Sequence, residues 1–453
     1  TIEPPAPARW PAVFVRDPYA CQGRLAGPRN RTSGRLSEKG PVLLATTDSP
    51  SSTLEPGCLA LTGRRFLIVT APFGPFAGRL ADAIAARGGT VVRMIFNAGD
   101  LLSWRRPNGR AFRDGPDVWA ARLPALAAGF SDLVIFGEGG PYNHAVVALA
   151  KAGGPRVWVL ENGYFRPDWI TLEQGGVNAC SNLPRNRADY GDPVAEAPPP
   201  RPLGRILPYH VLNITVHHLV QVPGRLLFPR YAPAYTAPAW LQCAGHIGRY
   251  LRGLIASPRA CDADAIAARG AYFLVCLQRE GDTQLLRYSR LPDNAAFLAG
   301  VMTSFARSAP PEARLVVKNH PLDPGLLDLR RVTRSLAVER GLASRVEFID
   351  GGQLADLCRG SRGLVVNNSS AALSALGFGT PVKVLGQAFF DFDGLTDQQP
   401  LDGFWTSPAA PDPDLFRRFR ATVIARTQIN GSFHAPRAVD RTATRLAEIF
   451  AES

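Results

Sequence analysis

The segment Arg65-Phe-Leu-Ile-Val-Thr70, followed by Ala71-Pro-Phe-Gly-Pro-Phe76, sets the architecture of the chain. A short and almost wholly apolar run is typical of a parallel β-strand that is buried on both faces. A loop rich in glycine and proline comes next, a helical pattern covers residues 78–87, and a second strand is predicted over residues 90–96. The order strand, loop, helix, strand is the repeating unit of a doubly wound α/β domain.

The same unit recurs along the chain. Further strands are predicted over residues 132–136, 156–160, 272–278, 314–318, 346–349, 363–367 and 381–385. Helical patterns are predicted over residues 143–151, 293–306, 329–340, 371–377, 414–427 and 437–450. This alternation predicts an α/β protein with two Rossmann-like domains facing a cleft, an architecture found in many nucleotide-sugar glycosyltransferases.

Composition shifts place the domain boundaries. Residues 1–60 are rich in Pro, Gly, Ser and Arg and are interpreted as an irregular N-terminal extension. The first Rossmann-like domain is predicted over 61–195 and the second over 263–430, with a C-terminal helix over 431–453. Residues 196–262, with many prolines, several arginines and aromatic residues, are interpreted as a basic connector or a helical insertion.

Composition also limits the kind of partner. The chain has 453 residues, 46% of them apolar, and 51 basic against 38 acidic residues give a net charge of +13. The apolar share excludes a largely disordered chain, and the lack of a run of about 20 uncharged apolar residues excludes an integral membrane protein. The positive charge favours nucleic acid, a phospholipid surface or a phosphorylated substrate. No concentrated Lys/Arg run or RNA-binding signature supports nucleic acid.

The sequence predicts no metal site. The seven cysteines are scattered without a CxxC pair, which argues against a disulfide framework or a cysteine-rich zinc site and favours a reducing compartment. The HExxH and Walker A motifs are absent, and three Asp-x-Asp triplets are interpreted as structural. The pair His217 and His218 lacks nearby carboxylate or thiolate partners and is interpreted as structural or interfacial. Residues 1–60 contain no apolar segment typical of a signal peptide.

Ligands of open α/β sheets bind beyond the carboxyl ends of the strands, so residues that follow a strand are the candidates for a site. The first such segment is Glu161-Asn-Gly-Tyr-Phe-Arg-Pro-Asp-Trp-Ile-Thr-Leu-Glu173. Glu161 is placed to act as a general acid or base, and Arg166 offers a planar donor fork for a carboxylate or phosphate. Tyr164 and Trp169 would line a sugar or lipid groove. The alternative is a surface loop whose aromatic rings enter the core.

Two more strand ends carry ionisable groups. Asp282, in Cys276-Leu-Gln-Arg-Glu-Gly-Asp-Thr-Gln284, is either a carboxylate of the site or the N-cap of a helix. The segment Lys318-Asn-His-Pro-Leu-Asp323 places a cation and an imidazole at the next strand end. His320 is able to donate a hydrogen bond to a phosphate, and the alternative is an ordinary loop histidine.

The fourth strand end, Val366-Asn-Asn-Ser-Ser-Ala371, offers two amides and two hydroxyls before a helical pattern. Such a group is either an anion site or a simple serine cap. Together the four strand ends supply two carboxylates, several cations and hydroxyls. A retaining sugar transfer needs this kind of set, because one carboxylate attacks the anomeric carbon, a second group moves the proton, and cations hold the donor phosphate.

In order and spacing these segments resemble the bacterial capsule polysaccharide biosynthesis and export proteins of the KpsS/LipB type. The resemblance runs from about Arg65 to Phe433, and the segment from Glu161 to Glu173 is its most specific piece. Further carriers are Phe96-Asn-Ala-Gly-Asp100, Gly137-Glu-Gly-Gly-Pro-Tyr142, Gly176-Val-Asn178, Pro381-Val-Lys-Val-Leu-Gly386 and Gln428-Ile-Asn-Gly-Ser-Phe433. The resemblance implies a GT-B-like retaining β-Kdo transferase that uses CMP-Kdo and starts a poly-Kdo linker on a phosphatidylglycerol-type lipid.

The resemblance also implies roles for individual residues. Asp282 would be the covalent nucleophile and Glu161 the acid/base. The second domain would bind the donor through Gln278, Lys318, His320, Pro321, Asn368, Ser369 and Ser370. The first domain would hold the acceptor. Independently of the resemblance, Arg166 is predicted to contact the Kdo carboxylate or the acceptor phosphate, with Tyr164, Trp169 and Glu173 as further candidates beside it. No cofactor is implied, and a donor with one phosphate has little need of a divalent metal.

The chain departs from this family pattern at two places. Asn162 stands where many relatives have a second acid, so proton transfer would rest on Glu161 alone. The segment Gly137-Glu-Gly-Gly replaces a more usual Gly-Asp-Cys-Arg, on the acceptor side.

The predicted partners are a CMP-sugar donor, an anionic phospholipid acceptor and other capsule assembly proteins. Residues 201–259 combine arginines with apolar and aromatic residues and are predicted to dock on the membrane; the alternative is a solvated basic connector. The predicted location is cytoplasmic, peripheral on the inner face of the inner membrane. Two other functions stay open: a transferase for another CMP-activated acidic sugar such as CMP-sialic acid, and a non-catalytic factor for assembly or export of a capsule glycolipid.

Overall fold

The computed structural model describes residues 60–191, 199–234 and 271–453, with positions 238, 240–242, 244–245, 248–249, 265–266 and 268 between the last two ranges. The described strands are β1 (Arg65–Ile68), β2 (Thr90–Ile95), β3 (Gly109–Ala111), β4 (Asp132–Phe136), β5 (Arg156–Asn162), β6 (Trp169–Gln174), β7 (Tyr272–Cys276), β8 (Arg314–Lys318), β9 (Val346–Ile349), β10 (Ser361–Val366), β11 (Val382–Val384) and β12 (Gln428–Asn430). The described helices are α1 (Phe76–Ala85), α2 (Ala98–Ser103), α3 (Pro116–Ala127), α4 (Asn143–Lys151), α5 (Leu207–Gly224), α6 (Thr283–Tyr288), α7 (Asn294–Ser308), α8 (Leu329–Glu339), α9 (Leu354–Gly360), α10 (Ala371–Gly377), α11 (Leu401–Phe404), α12 (Pro413–Thr427) and α13 (Pro436–Glu452).

The first sheet has the order β12-β6-β5-β4-β1-β2-β3. Its strands from β5 to β3 are parallel, whereas β6 runs antiparallel to both β5 and β12. Phe66 of β1 packs in the core with α1 and α13, and Leu67 packs on the opposite face with α3 and α4. The apolar run at residues 65–70 is therefore a parallel strand that is covered on both sides, as predicted.

The second sheet has the order β11-β10-β7-β8-β9, and all of its strands are parallel. Alternate residues of β7 enter two cores, Leu274 with α9, α10 and α12, and Phe273 with α7 and α8. The strand order reverses between β7 and β10 here and between β1 and β4 in the first sheet. These reversals are the topological switch points at which open α/β sheets bind ligands. The predicted α/β fold with two Rossmann-like domains is confirmed.

The segment from Glu161 to Glu173 differs from the prediction. It was expected to be a loop after a strand ending at residue 160, but β5 continues to Asn162 and the chain turns back into β6. The register pairs Glu161 with Thr171 and Val159 with Glu173. Ile170 and Leu172 alternate with polar residues and enter the core on one face of the sheet, and this spacing of two is typical of a strand.

The C-terminal region returns to the first domain. β12 adds to the edge of the first sheet by pairing with β6, although it lies within the range 263–430 predicted for the second domain. The predicted C-terminal helix is present as α13, and its Leu446 and Phe450 pack with Phe66. The chain therefore crosses between the domains a second time after α12.

The predicted connector contains a long helix in its described part. α5 packs against α2 and the loop after β1: Gly99 lies against the His217 ring, and a Cβ at Gly74 would lie 2.6 Å from Cγ of Asn213. The predicted extension at residues 1–60 lies outside the described residues, apart from residue 60.

Candidate active site

The carboxyl ends of the strands from the two sheets meet between the domains. Glu138 and Glu161 come from the ends of β4 and β5, and Asp282 follows β7. The side-chain amide of Gln284, two residues after Asp282, donates to Oε1 of Glu138 at 3.1 Å across a sequence separation of 146 residues. The segment after β4 is thus in direct contact with the first turn of α6.

Glu161 lies near the end of β5. Its Oε1 accepts the backbone N–H of Asn162 at 2.8 Å and the side-chain amide of Asn162 at 3.2 Å. Burial raises the pKa of Glu161, the charges of Asp282 and Glu138 add to the rise, and the Asn162 N–H and Arg166 oppose it. The raised pKa of Glu161 lies closer to neutral pH than that of an exposed carboxyl group, which suits a role in proton transfer.

Arg166 lies in the turn between β5 and β6 and is exposed. Its Nε–H donates to the carbonyl of Gly163 at 3.2 Å, which orients the two terminal nitrogens of the guanidinium away from that bond. Burial is the largest cause of the pKa shifts of Glu161, Asp282 and His320, and the charge of Arg166 contributes to all three. It opposes the rise in the pKa of Glu161 and of Asp282, and it adds to the lowering of the pKa of His320. One guanidinium therefore acts on side chains of both domains.

Asp282 is the N-cap of α6, and its Oδ1 accepts the backbone N–H of Gln284 at 2.8 Å. The alternative prediction for Asp282, a helix N-cap, is therefore correct. Burial also raises the pKa of Asp282, with the Gln284 N–H and the charges of Arg279 and Arg166 opposing the rise. The cap holds this buried carboxyl group in one orientation within reach of the Arg166 and Glu161 charges.

His320 follows β8. Its Nδ1 accepts the backbone N–H of Leu322 at 3.1 Å, so Nδ1 carries no proton and Nε2 is the protonated nitrogen. Burial, together with the charges of Arg166 and Lys318, lowers the pKa of His320 to about 3. The ring is therefore neutral at pH 7 and offers one N–H donor.

The rest of the loop after β8 is held by a residue of the connector. NH1 of Arg249 donates to the carbonyls of Pro321 at 3.1 Å and Asp323 at 2.6 Å, and its Nε–H donates to Asp350 at 3.0 Å. Lys318 itself is buried, and that burial lowers its pKa. Arg249 was not predicted for the site, because nothing in the connector marks which of its arginines reaches this loop.

The predicted amides lie at the switch point of the second sheet. Gln278 follows β7 and Asn368 follows β10, and Nδ2 of Asn368 donates to the carbonyl of Gln284 at 2.9 Å. In the part of the chain that the structure describes, Oε1 of Gln278, Nδ2 of Asn367 and Oδ1 of Asn368 are buried without a hydrogen-bond partner. Because buried polar atoms are normally paired, these three atoms fit a site that binds a polar ligand.

The two predicted serines precede α10, which is only seven residues long. Ser370 is the N-cap residue but its hydroxyl makes no cap hydrogen bond, whereas Oγ of Ser369 accepts the N–H of Ala371 at 3.3 Å. Since so short a helix has a weak dipole, the hydroxyls are what this loop offers to a ligand.

The structure corrects the predicted ligand contacts of Tyr164 and Glu173. Both side chains are buried, and the Tyr164 hydroxyl donates to Oε1 of Glu173 at 2.7 Å while accepting the N–H of Asn178 at 2.7 Å. The Tyr164 ring packs on Phe389 of the second domain, with ring centroids 4.6 Å apart. The reason is the hairpin, which turns these side chains inwards. Trp169 begins β6, where its carbonyl accepts the N–H of Gly163.

Glu138 is a site residue that the sequence analysis missed. It is buried after β4, and its two oxygens accept the N–H of Val177 at 3.0 Å and the Gln284 amide at 3.1 Å. Burial raises its pKa, as it does for Glu161. A signal was present, because Glu138 stands in Gly137-Glu-Gly-Gly at a strand end, where the family pattern has an acid.

Within the described residues, no group of three His, Cys, Asp or Glu side chains is placed to hold a metal ion. None of the described helices combines the length and the apolar character that crossing a bilayer requires.

Residues 131–434 match the family described as capsule polysaccharide biosynthesis protein. The chain belongs to this family. The capsule polysaccharide export protein KpsS of Escherichia coli is 31% identical over 387 residues, which cover 83% of this chain and 98% of KpsS. The capsule polysaccharide modification protein LipB of Neisseria meningitidis serogroup B is 32% identical over 394 residues, which cover 83% of this chain and 92% of LipB. The predicted resemblance to the KpsS/LipB type is confirmed.

Solved structures align over most of the chain at low identity. The β-Kdo 2,7 transferase of Thermosulfurimonas dismutans KpsC is 15% identical, covers 85% of this chain and all of its own, and gives a TM-score of 0.36. Its β-Kdo 2,4 transferase is 14% identical, covers 78% of this chain and 89% of its own, and gives a TM-score of 0.33.

For a capsule polysaccharide biosynthesis protein, this site combines four chemical abilities. Asp282 is a carboxyl group fixed by its cap, and Glu161 is a second one with a raised pKa. Arg166 supplies a donor fork for a carboxylate or phosphate, and neutral His320 supplies a single N–H. Arg166 and His320 suit the binding of an anionic substrate, and the two carboxyl groups suit nucleophilic attack and proton transfer.

Proposed function

We propose that this chain is a retaining glycosyltransferase that moves Kdo from CMP-Kdo to a phosphatidylglycerol-type lipid at the inner face of the inner membrane. The product would start the linker of a capsular polysaccharide. One observation carries the proposal: Gln284, two residues after Asp282, donates to Glu138 of the other domain at 3.1 Å, at the edge where β5 presents Glu161. The charge of Asp282 also raises the pKa of Glu161. The names of KpsS and LipB, which refer to capsule polysaccharide export and modification, support the choice of pathway.

In the first step, a carboxylate oxygen of Asp282 attacks the anomeric carbon of Kdo. A carbon–oxygen bond to Asp282 forms, the bond from that carbon to the phosphate oxygen breaks, and CMP leaves with the electron pair. The raised pKa that burial gives Asp282 makes its carboxylate more basic, and the Gln284 N–H keeps it oriented.

In the second step, a hydroxyl of the lipid attacks the same carbon from the face that CMP left. Its proton passes to the carboxylate of Glu161, the new glycosidic bond forms, and Asp282 leaves as a carboxylate. Two inversions give net retention. CMP is a good leaving group without protonation, so Glu161 is needed only in this second step.

The donor is held by the second domain. The neutral His320 donates through Nε2 to the phosphate, and the hydroxyls of Ser369 and Ser370 follow β10, which is separated from β8 by β7 alone. Arg166, from the first domain, binds the Kdo carboxylate by its fork of N–H groups.

The two steps make different predictions for two variants. Asp282→Asn keeps a good N-cap residue and should abolish CMP release, lipid glycosylation and any covalent adduct. Glu161→Gln should release about one equivalent of CMP per protein and then stall, with a Kdo adduct visible by intact-protein mass spectrometry. The matched control is Asp328→Asn, because Asp328 caps α8 through the N–H of Arg331 at 3.0 Å and should be replaceable without loss of activity.

The assay combines CMP release with mass spectrometry of a fluorescent phosphatidylglycerol analogue. Full transfer activity in Asp282→Asn would exclude the covalent route. Transfer from CMP-sialic acid but not CMP-Kdo would keep the mechanism and change the donor. Failure to consume any CMP-sugar, together with tight binding of glycolipid, would replace the enzyme by an assembly or export factor.

A further inference from the structure

The long helix α5 is amphipathic, but its apolar face points outwards and its polar face packs on the first domain. Its outer face carries apolar residues at helical spacing, and the exposed fractions are 57% for Leu212, 64% for Leu219, 61% for Val222 and 89% for Leu226 just beyond its end. Val211 and Val216 extend the same face. An apolar stripe of this length on the outside of a protein indicates a surface that is covered in use.

The inner face of α5 carries the polar residues. His217 is only 5% exposed, its ring lies 4.2 Å from that of Phe73, and Nδ2 of Asn213 is 3.2 Å from Nδ1 of His434. Gly99 allows the close approach of His217, because a Cβ at that position would overlap the imidazole ring. The orientation of the helix is therefore fixed by a close polar fit on its inner side.

The charge around α5 points to an anionic occupant. Residues 199–234 contain no Asp or Glu, and they contain four exposed arginines. Arg201 and Arg205 precede the helix, and Arg225 and Arg230 follow it, with Arg230 paired to Asp114 at 2.9 Å. Arginine side chains beside an apolar helical face are the features by which interfacial helices bind anionic lipid. A second copy of the same face would bring like charges together, which disfavours a symmetric dimer through this surface.

The segment that leads into α5 also contacts the turn that carries Arg166, because the backbone N–H of Leu203 donates to Oδ1 of Asp168 at 3.0 Å. On the inner face of α5, the His210 ring lies 4.4 Å from that of His434, and the Arg166 charge adds to the lowering of the His210 pKa by burial. We propose that the outer face of α5 lies in the surface of an anionic phospholipid bilayer, so that lipid headgroups are presented next to Arg166. Only this last placement rests on the proposed function; the docking itself rests on the exposed apolar face and the arginines.

The test is flotation of the full chain with vesicles. Wild-type protein should float with equimolar phosphatidylglycerol and phosphatidylcholine vesicles and much less with phosphatidylcholine alone. Leu219→Gln combined with Leu226→Gln should weaken binding at least about tenfold, because buried apolar area drives interfacial binding. Val338→Gln is the matched control, since Val338 is 63% exposed on α8 of the other domain.

A second double variant, Arg205→Gln with Arg225→Gln, tests the charge. It should reduce flotation with the anionic vesicles and make flotation less sensitive to salt.

Undiminished flotation of the leucine variant, or equal wild-type binding to both vesicle types, would overturn the proposal. A lipid-free dimer that the leucine variant disperses would show instead that a second copy covers this face. Flotation needs no donor, and CMP release with a water-soluble acceptor should be unchanged in the leucine variant, so the two proposals fail separately.

Discussion

Replacement of Arg166 separates its two contributions to the site. Arg166→Gln removes both the charge and the donor fork, whereas Arg166→Lys keeps the charge and loses the fork. If the guanidinium binds the Kdo carboxylate, loss of hydrogen bonds to a charged group costs about 1.5–3 kcal/mol. The KM for CMP-Kdo should then rise roughly 10- to 150-fold in Arg166→Gln, since 1.36 kcal/mol corresponds to a factor of ten.

The pH profile provides the second readout. Burial raises the pKa of Asp282, and the Arg166 charge is one of the influences that hold this pKa down. Removal of that charge should raise the Asp282 pKa further. Because Asp282 must be ionised to attack the donor, the acid limb of kcat/KM for CMP-Kdo should move to higher pH in Arg166→Gln and stay in place in Arg166→Lys. Both variants should show the raised KM, because neither has the planar fork.

Initial rates of CMP release between about pH 5 and 9 measure both quantities, since kcat/KM reports the ionisations of the free enzyme. Arg359→Gln is the control, because Arg359 pairs with Asp356 at 2.8 Å on the surface of α9 and lies outside the site. An acid limb that stays in place or moves to lower pH in Arg166→Gln would refute the electrostatic argument. An unchanged KM would refute the assigned carboxylate contact.

Three further substitutions test neighbouring parts of the site. Glu138→Gln leaves one of the two donors of Val177 and Gln284 poorly paired, so the free energy of unfolding should fall by about 1–3 kcal/mol in urea and kcat should fall with it; an unchanged kcat would contradict the role of this contact. Burial raises the pKa of Glu173 from 4.5 to about 7, so the wild type should lose stability as pH rises through this window, and the stability of Glu173→Gln relative to wild type should grow by about 1–3 kcal/mol between pH 5 and 8. A constant difference between the two proteins would argue against a buried, titrating Glu173. Because burial lowers the pKa of His320 to about 3, His320→Gln should raise the KM for the donor without moving the pH profile between pH 5 and 8, and a displaced acid limb would assign that limb to His320.

The buried parallel strands were predictable from sequence because each is an uninterrupted apolar run. Residues 65–70 and 272–278 are covered by helices on both faces, and nothing in them competes with a strand. Helix α3 was missed because Pro124 lies inside it and Pro116 at its start resembles a loop signal. Strand β12 has only three residues, and its pairing with β6 depends on the position of the whole second domain.

The site was predictable where it depends on the ends of parallel strands. Asp282 and His320 follow such strands and Glu161 lies near the end of one, and the rule for open α/β sheets brings these strand ends to one edge. Tyr164 was misplaced because an antiparallel hairpin was not anticipated, and with it the inward turn of this ring. Glu138 stood among glycines without a visible partner, since Gln284 reaches it only across the domain boundary.

The orientation of α5 could not be deduced from its periodicity. A helical apolar stripe ordinarily predicts the face that enters the core, yet here Leu219 lies outside and His217 inside. Exposure of the apolar face costs free energy in water, whereas the glycine contact at Gly99 makes the inner face the one that fits the first domain. The same inner face packs His210 on His434, with ring centroids 4.4 Å apart, and the Arg166 charge acts on His210 there. Rotation of the helix to bury its leucines would therefore also break this contact near the site. The orientation of α5 that keeps its inner face at the candidate active site therefore also exposes an apolar face to water. Binding of that face to the proposed lipid surface would offset the free-energy cost of its exposure, and it would do so where the proposed acceptor lies.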